Sequence, residues 1–336
     1  MSDIESPVVE RTRESKNLSS AAKDRIRRYS TLFALLALIV IGLALVDGFG
    51  TSGDILGVGQ KVAQIGIMAI GMTFVLINGE IDLSVGSIYG LSAVVTGMMV
   101  VSGTPWPLAA LVGIGVGAVC GAINGIMTVS LHIPSFIVTL GTLSIFRGAA
   151  LLISGGTPIS LSSTDRNVAS FNILGQGKIF GVIPMQLMVF LALLAVGYVL
   201  LSRSRLGYDT YAVGGSVNAA KLSGINTGLT RTMGFVLSGA CAGIAGILSV
   251  SFLSYVQGVT GQGMELTVIS AVIIGGAALT GGSGTMWGTV IGVLFIGVLQ
   301  NILNLQGISS FWQTVATGAV IIIAVAADTA LSRKRN

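Results

Sequence analysis

Charge is what this sequence has least of. Asp, Glu, Lys and Arg together make up only 9% of its 336 residues, against about a quarter in soluble globular domains, so too little charge exists to cover a water-facing surface. Histidine is nearly absent as well. The single one, His132, sits in the turn His132-Ile133-Pro134 without an HExxH pattern or a cysteine cluster around it, which leaves no metal site. Two cysteines, Cys120 and Cys241, lie inside apolar runs and read as packing residues, so no disulfide framework is expected. Neither GxxxxGK[ST] nor GxSxG occurs. The chain therefore carries no phosphate loop with which to hydrolyse ATP and no nucleophile elbow, and no catalytic residue is assigned.

What is present is hydrophobic residues at 52%, a mean hydropathy of +0.89 and 48 glycines. Apolar runs recur near the roughly 20 residues a helix needs to cross hydrocarbon. The short alternating strands of an outer-membrane barrel are missing. The fold class is an all-α polytopic membrane protein, in which small residues let helix backbones approach closely. Ten spans are expected at about 31–48, 57–78, 84–102, 106–130, 134–154, 184–202, 228–251, 264–281, 286–304 and 309–331, some of them broken or re-entrant.

Residues 1–30 carry seven basic side chains and read as a cytoplasmic tail. A cleavable signal peptide is disfavoured there, because the charged region is too long and no A-x-A-like site follows. With ten crossings from an inside N-terminus, the loop 202–227 and the tail 332–336 are inside too, and 155–183 is outside. Fourteen of the 18 Lys and Arg then lie at cytoplasmic positions, the bias that orients membrane proteins. Basic residues at membrane edges, instead of on one amphipathic face, exclude a nucleic-acid surface. The expected location is a bacterial cytoplasmic membrane, with the lipid bilayer itself as partner and both termini inside. In the external loop Phe171-Asn172-Ile173-Leu174 can form a short interfacial helix, although a plain connecting loop fits the composition equally well.

Three places can carry function. The loop Leu201–Arg231 holds Arg203, Arg205, Lys221 and Arg231 against one acid, Asp209. Its centre is expected to be a short helix, Ser216–Leu222, capped by Ser216 and flanked by Gly214, Gly215 and Gly224. The second place is Asn78–Ser87, with Glu80 and Asp82 between two apolar runs. Acids at membrane depth are costly and therefore functional candidates, yet Asp82 also suits an N-cap accepting from Ser84 or Val85. The third is Arg147, about seven residues or roughly 10 Å from the outer end of its span. It can snorkel outward or pair with Glu265. The glycine-dense run Ile274–Thr285 lacks the lysine of a phosphate loop and reads as close packing plus a tight turn.

Several long segments in order resemble the membrane permease subunits of ribose-type ABC importers, a superfamily shared with branched-chain amino-acid permeases. They are GIMAIGMTFVLINGEIDLSVGS at 66–87, PSFIVTLGTLSIFRG at 134–148, YAVGGSVNAAKLSGIN at 211–226 and AVIIGGAALTGGSGTMWGTVIGVLFIGVLQNILNLQGISSFWQ at 271–313. The likeness runs from about Ile65 to Asp328, and the first 60 residues do not take part. Glu80 is a departure, since many relatives carry a neutral residue there.

The resemblance implies an ABC importer permease fold that moves a small sugar, a ribose-like pentose or a hexose, by alternating access. It implies a separate ABC ATPase subunit that binds ATP and Mg, an extracytoplasmic sugar-binding protein, and a second permease as homodimer or related heterodimer. No cofactor is implied for the chain itself, which is not an enzyme. It also implies that Gly214, Gly215, Asn218, Ala219, Ala220, Lys221, Ser223, Gly224 and Ile225 form the helix that docks on the ATPase. Glu80, Asp82, Ser84, Arg147 and Glu265 are the candidates for the translocation pathway or a helix break. The competing expectation is an ion-coupled secondary transporter or channel built on Glu80 and Asp82.

Overall fold

The computed structural model describes residues 31–161, 166–319 and 322. The tails 1–30 and 332–336 lie outside the described residues. The helices are α1 (Thr31–Leu45), α2 (Ser52–Ile77), α3 (Val85–Val101), α4 (Trp106–Ser130), α5 (Ser135–Ser154), α6 (Arg166–Gln176) and α7 (Met185–Arg203). They continue with α8 (Arg205–Gly215), α9 (Val217–Leu222), α10 (Thr227–Leu253), α11 (Met264–Ile274), α12 (Met286–Leu305) and α13 (310–319). Two short antiparallel pairings occur: β1 (Ile159–Ser160) with the distant β4 (Tyr255–Val256), and the hairpin of β2 (Lys178–Ile179) with β3 (Ile183–Pro184).

The chain is an all-α membrane protein. Among the described residues, six helices are long and apolar enough to span a bilayer: α2, α4, α5, α7, α10 and α12. Three of the expected ten spans are shorter helices, α1, α3 and α11, and the tenth run is described only over 310–319 and at 322. The expected span 264–281 needs correction. Its helix ends at Ile274, because Gly275 and Gly276, the latter at φ +95°, turn the chain into an irregular segment that leads back to α12. An apolar composition cannot distinguish that re-entrant path from a helix.

α2 is the axis of the fold, buried on every side from Ile65 to Ile77 and packed by α7, α10, α11 and α12. No amphipathic stripe is needed along a stretch buried on all sides. α4 shows the opposite pattern, with Leu111, Val119, Ile123 and Ile126 exposed to the bilayer. Its inner face is a glycine ladder, Gly113, Gly117, Gly121 and Gly125, one every four residues. A Cβ on Gly117 would overlap the carbonyl oxygen of Gly239, and one on Gly121 that of Phe235, both on α10. Lipid tails are as apolar as leucine, so backbone-close dispersion contact holds these two helices together in place of a hydrophobic drive.

The segment expected to be external is more ordered than a plain loop. α6 is a real helix with Phe171 fully buried, and it lies over the end of α10. Ser251 Oγ donates to Phe171 O at 2.7 Å and accepts from Gly175 N at 2.7 Å, while Gln186 Nε2 donates to Gly175 O at 3.0 Å.

Candidate functional site

The break between α2 and α3 is made locally. α2 stops because Gly79 takes φ +79°, and the N–H groups of Gly79 and Glu80 fold back onto Leu76 O and Val75 O at 2.9 and 3.0 Å. Asp82 then organises the start of α3. Its Oδ1 accepts from Ser84 N at 2.9 Å and Ser84 Oγ at 2.7 Å, and its Oδ2 accepts from Ser238 Oγ of α10 at 2.9 Å. The carboxylate is fully buried, and these donors replace the water it has lost. Asn124 Nδ2 of α4 donates to Ser84 Oγ at 2.7 Å, tying a third helix to the knot. From α5, Ser135 Oγ accepts from Ile81 N at 3.1 Å.

Glu80 does something the sequence did not reveal. It pairs with Arg231, one turn into α10, through both the guanidinium Nε and Nη2. The two residues are 151 positions apart, and no local signal links an acid in one loop to a base beyond another.

Of the two roles open to Arg147, the ion pair with Glu265 is not formed. Arg147 Nη1 donates to Thr260 O at 2.6 Å, and Glu265 Oε1 accepts from Gly263 N at 3.2 Å. The backbone of the 257–263 loop offers nearer partners than the two side chains offer each other. Both nevertheless rest on α3, Arg147 against Gly90 and Glu265 against Gly86.

The polar segment after α7 folds as two short helices. Ser204 caps α8 by accepting from Gly207 N at 3.3 Å, and Ser216 caps α9 by accepting from Ala219 N at 3.3 Å. α9 closes as its glycine requires. Gly224 sits at φ +80°, and the N–H groups of Gly224 and Ile225 donate to Lys221 O and Ala220 O at 3.0 Å each. Gly215, Asn218, Ala219, Lys221, Ser223 and Gly224 are exposed, and Ile225 is half-buried.

Two residues of the expected docking segment, Ala220 and Gly214, are not exposed. Ala220 is turned inward, only 3% exposed, because α9 packs on α8 and the start of α10. Gly214 is half-buried against the end of α2, where a Cβ would overlap Ile77 O. The outstanding exposed side chain is Leu222, at 91%, with Tyr208 of α8 at 72%. Leu222 directly follows the basic Lys221 in a polar loop, and that isolation among polar neighbours was the available signal for an anchor. Between α8 and α9 lies a groove of about 680 Å³ lined by Arg205, Tyr208, Asp209, Ser216, Ala219 and Asn226. Burial pushes the Tyr211 phenol upward from its usual range, and it donates to Gly284 O at 2.8 Å.

A bundle of long apolar helices, broken at a buried carboxylate and carrying a short helix on one polar loop, defines a multi-pass membrane protein. The comparisons make this specific. The family described as branched-chain amino acid transport system, permease component, matches residues 55–325. A ribose import permease of Bacillus subtilis is 39% identical over 303 residues, covering 90% of this chain and 93% of the relative. The ribose import permease of Escherichia coli K12 is 37% identical, covering 89% and 92%. The D-allose transport system permease of the same strain is 35% identical, covering 91% and 93%. No solved structure matches. The chain belongs to the branched-chain amino-acid and ribose permease family of ABC importers, in its ribose-type branch.

Proposed function

We propose that this chain forms the membrane path for a monosaccharide, a pentose or hexose, in an ABC importer of the bacterial inner membrane. α8 and α9 face the cytoplasm and receive an ATPase subunit, which binds ATP and Mg. The opposite end, with α6 and the β2–β3 hairpin, faces a soluble sugar-binding protein. A second permease completes the path, which opens to each side in turn as the ATPases close and separate.

The observation that carries this reading is α9 itself. It is a six-residue helix that packs on α8 and the start of α10 through Ala220 and turns its other side outward, presenting Leu222 at 91% exposure beside Lys221. An apolar side chain that exposed in a polar loop suits an apolar pocket on a partner, with the surrounding polar groups setting register. Relatives of 35–39% identity include ribose import permeases and a D-allose transport system permease, which favours a neutral polyhydroxylated substrate. The acids at the break support transport by ATP instead of ion coupling. Asp82 has both oxygens engaged by three donors, and Glu80 is neutralised by Arg231.

The test is uptake into proteoliposomes holding the permease, the ATPase and the binding protein encoded with it. Labelled ribose or allose should accumulate with internal or external ATP as orientation dictates, and should continue when proton and sodium gradients are collapsed. Accumulation that needs a gradient and ignores ATP refutes the reading.

A further inference from the structure

We infer that the end of α2, residues Ile77 to Glu80, is the joint that receives movement of α9 from both sides, with Gly214, Tyr211, Glu80 and Arg231 as its positioning residues. This rests on α9 being the ATPase seat.

α9 has two arms. The upstream arm is α8, which grips the bundle twice. Gly214 lies so close to Ile77 that any Cβ would overlap the carbonyl oxygen, and that same oxygen accepts from Gly282 N at 2.8 Å. Three residues earlier, Tyr211 donates to Gly284 O at 2.8 Å. The Gly281–Gly282 turn between these grips presses on both neighbours. A Cβ on Gly281 would stand 2.8 Å from Gly79 Cα and 3.0 Å from Gly214 O. The backbones of α8, the 275–285 segment and the end of α2 thus meet with no side chain between them, and a close-packed backbone contact transmits displacement with little slack.

The downstream arm is shorter. Residues 223–226 lead from α9 into α10, Asn226 caps that helix by accepting from Leu229 N at 3.0 Å, and Arg231 in its first turns holds Glu80. The pair is sheltered, with side-chain exposures of 25% for Arg231 and 9% for Glu80, so it is screened less than a surface ion pair.

Both arms therefore land within four consecutive residues, Ile77 to Glu80. Two residues beyond Glu80 comes Asp82, whose contacts to Ser84 and Ser238 set where α3 begins and how it sits on α10. A push on α9 reaches this break through α8 by steric contact and through α10 by charge. The break can then tilt α3 against α2, while the rest of both helices stays packed.

The experiment uses the complete reconstituted complex and reads three quantities: ATPase retained on the permease, ATP hydrolysed, and sugar taken up. The variants are Tyr211→Phe, Glu80→Gln, Arg231→Gln and the double Glu80→Gln/Arg231→Gln. Each should retain the ATPase and hydrolyse ATP while sugar moved per ATP falls about fivefold or more, the lower end of a typical coupling. The double variant should be no worse than the worse single, since both remove one strut. Unchanged sugar per ATP in all four overturns the joint. So does a loss of uptake that merely follows lost assembly, with the ratio intact, and so does a double variant whose defects multiply. Failure of the underlying reading is seen separately, in an unaltered complex that shows no ATP-driven uptake, and that result overturns both.

Discussion

Glycine brings backbones together in two regions of this molecule, to opposite ends. Along α4, Gly113, Gly117, Gly121 and Gly125 recur every four residues on the face that meets α10, where Gly239 and Gly243 come to meet them, and both helices stay continuous. Around Gly79, Gly214, Gly281 and Gly282 they sit at the ends of α2 and α8 and in the turn between α11 and α12, three of the four at positive φ, and the contact joins three chain segments. The first arrangement is a seam whose many parallel contacts resist movement. The second is a junction with few contacts on which two short helices and a break converge. The comparison teaches that glycine content alone does not report flexibility, and that position relative to helix ends does.

The seam gives the largest expected effect. Gly121→Leu forces a side chain into Phe235 O and should destabilise by at least about 3 kcal/mol, the upper end for overpacking. Little folded protein should then survive detergent extraction. Gly141→Leu is the control, because nothing lies within 4 Å of a Cβ there, and its melting temperature should not move. Equal loss in both variants would erase the distinction between seam glycines and lipid-facing ones.

Next comes the knot beside the junction. Asp82→Ala leaves Ser84 N and Ser238 Oγ without their acceptor, which should cost about 1–3 kcal/mol. Asp82→Asn keeps an acceptor and should lose less. Thermal unfolding of the purified permease orders the three proteins, and an Asn variant as unstable as Ala would mean that the charge, not the acceptor, holds the break. On the exposed side of the junction, Leu222→Ala should leave the melting temperature unchanged. Retention of the ATPase should weaken about tenfold, equivalent to about 1.4 kcal/mol.

Much of this was readable from the chain, and what was readable is local. The long helices follow from apolar runs. The Ser216 cap, the Gly224 stop and the Asp82 contact with Ser84 span only a few residues each, so composition and order suffice to anticipate them. Ala220 was misplaced because a six-residue helix made largely of small side chains has no stripe to show which side is inner. The turn in Ile274–Thr285 is legible from its glycines, but the end of the span 264–281 falls late, because hydropathy averaged over a window cannot register the positive φ of Gly276. Glu80–Arg231 and Gly214–Ile77 were invisible for another reason: each joins residues more than a hundred positions apart.

The smallest effect concerns the far end of the molecule. Phe180 holds φ +53° at the tip of the β2–β3 hairpin and is 93% exposed, a conformation that costs a side-chain-bearing residue about 1–2 kcal/mol. Phe180→Gly should therefore raise stability slightly, by about 1 kcal/mol at most after the added freedom of the unfolded chain is counted. A fall in melting temperature would mean that Phe180 has a partner within the protein.

The account turns on which side of the membrane each of these ends faces, and single cysteines at Leu222 and Phe180 decide it. Cys120 and Cys241 are both buried, so their background is low. In intact cells a membrane-impermeant maleimide should label Phe180→Cys and spare Leu222→Cys until the membrane is opened. Labelling of Leu222→Cys from outside, with Phe180→Cys protected, would contradict the account.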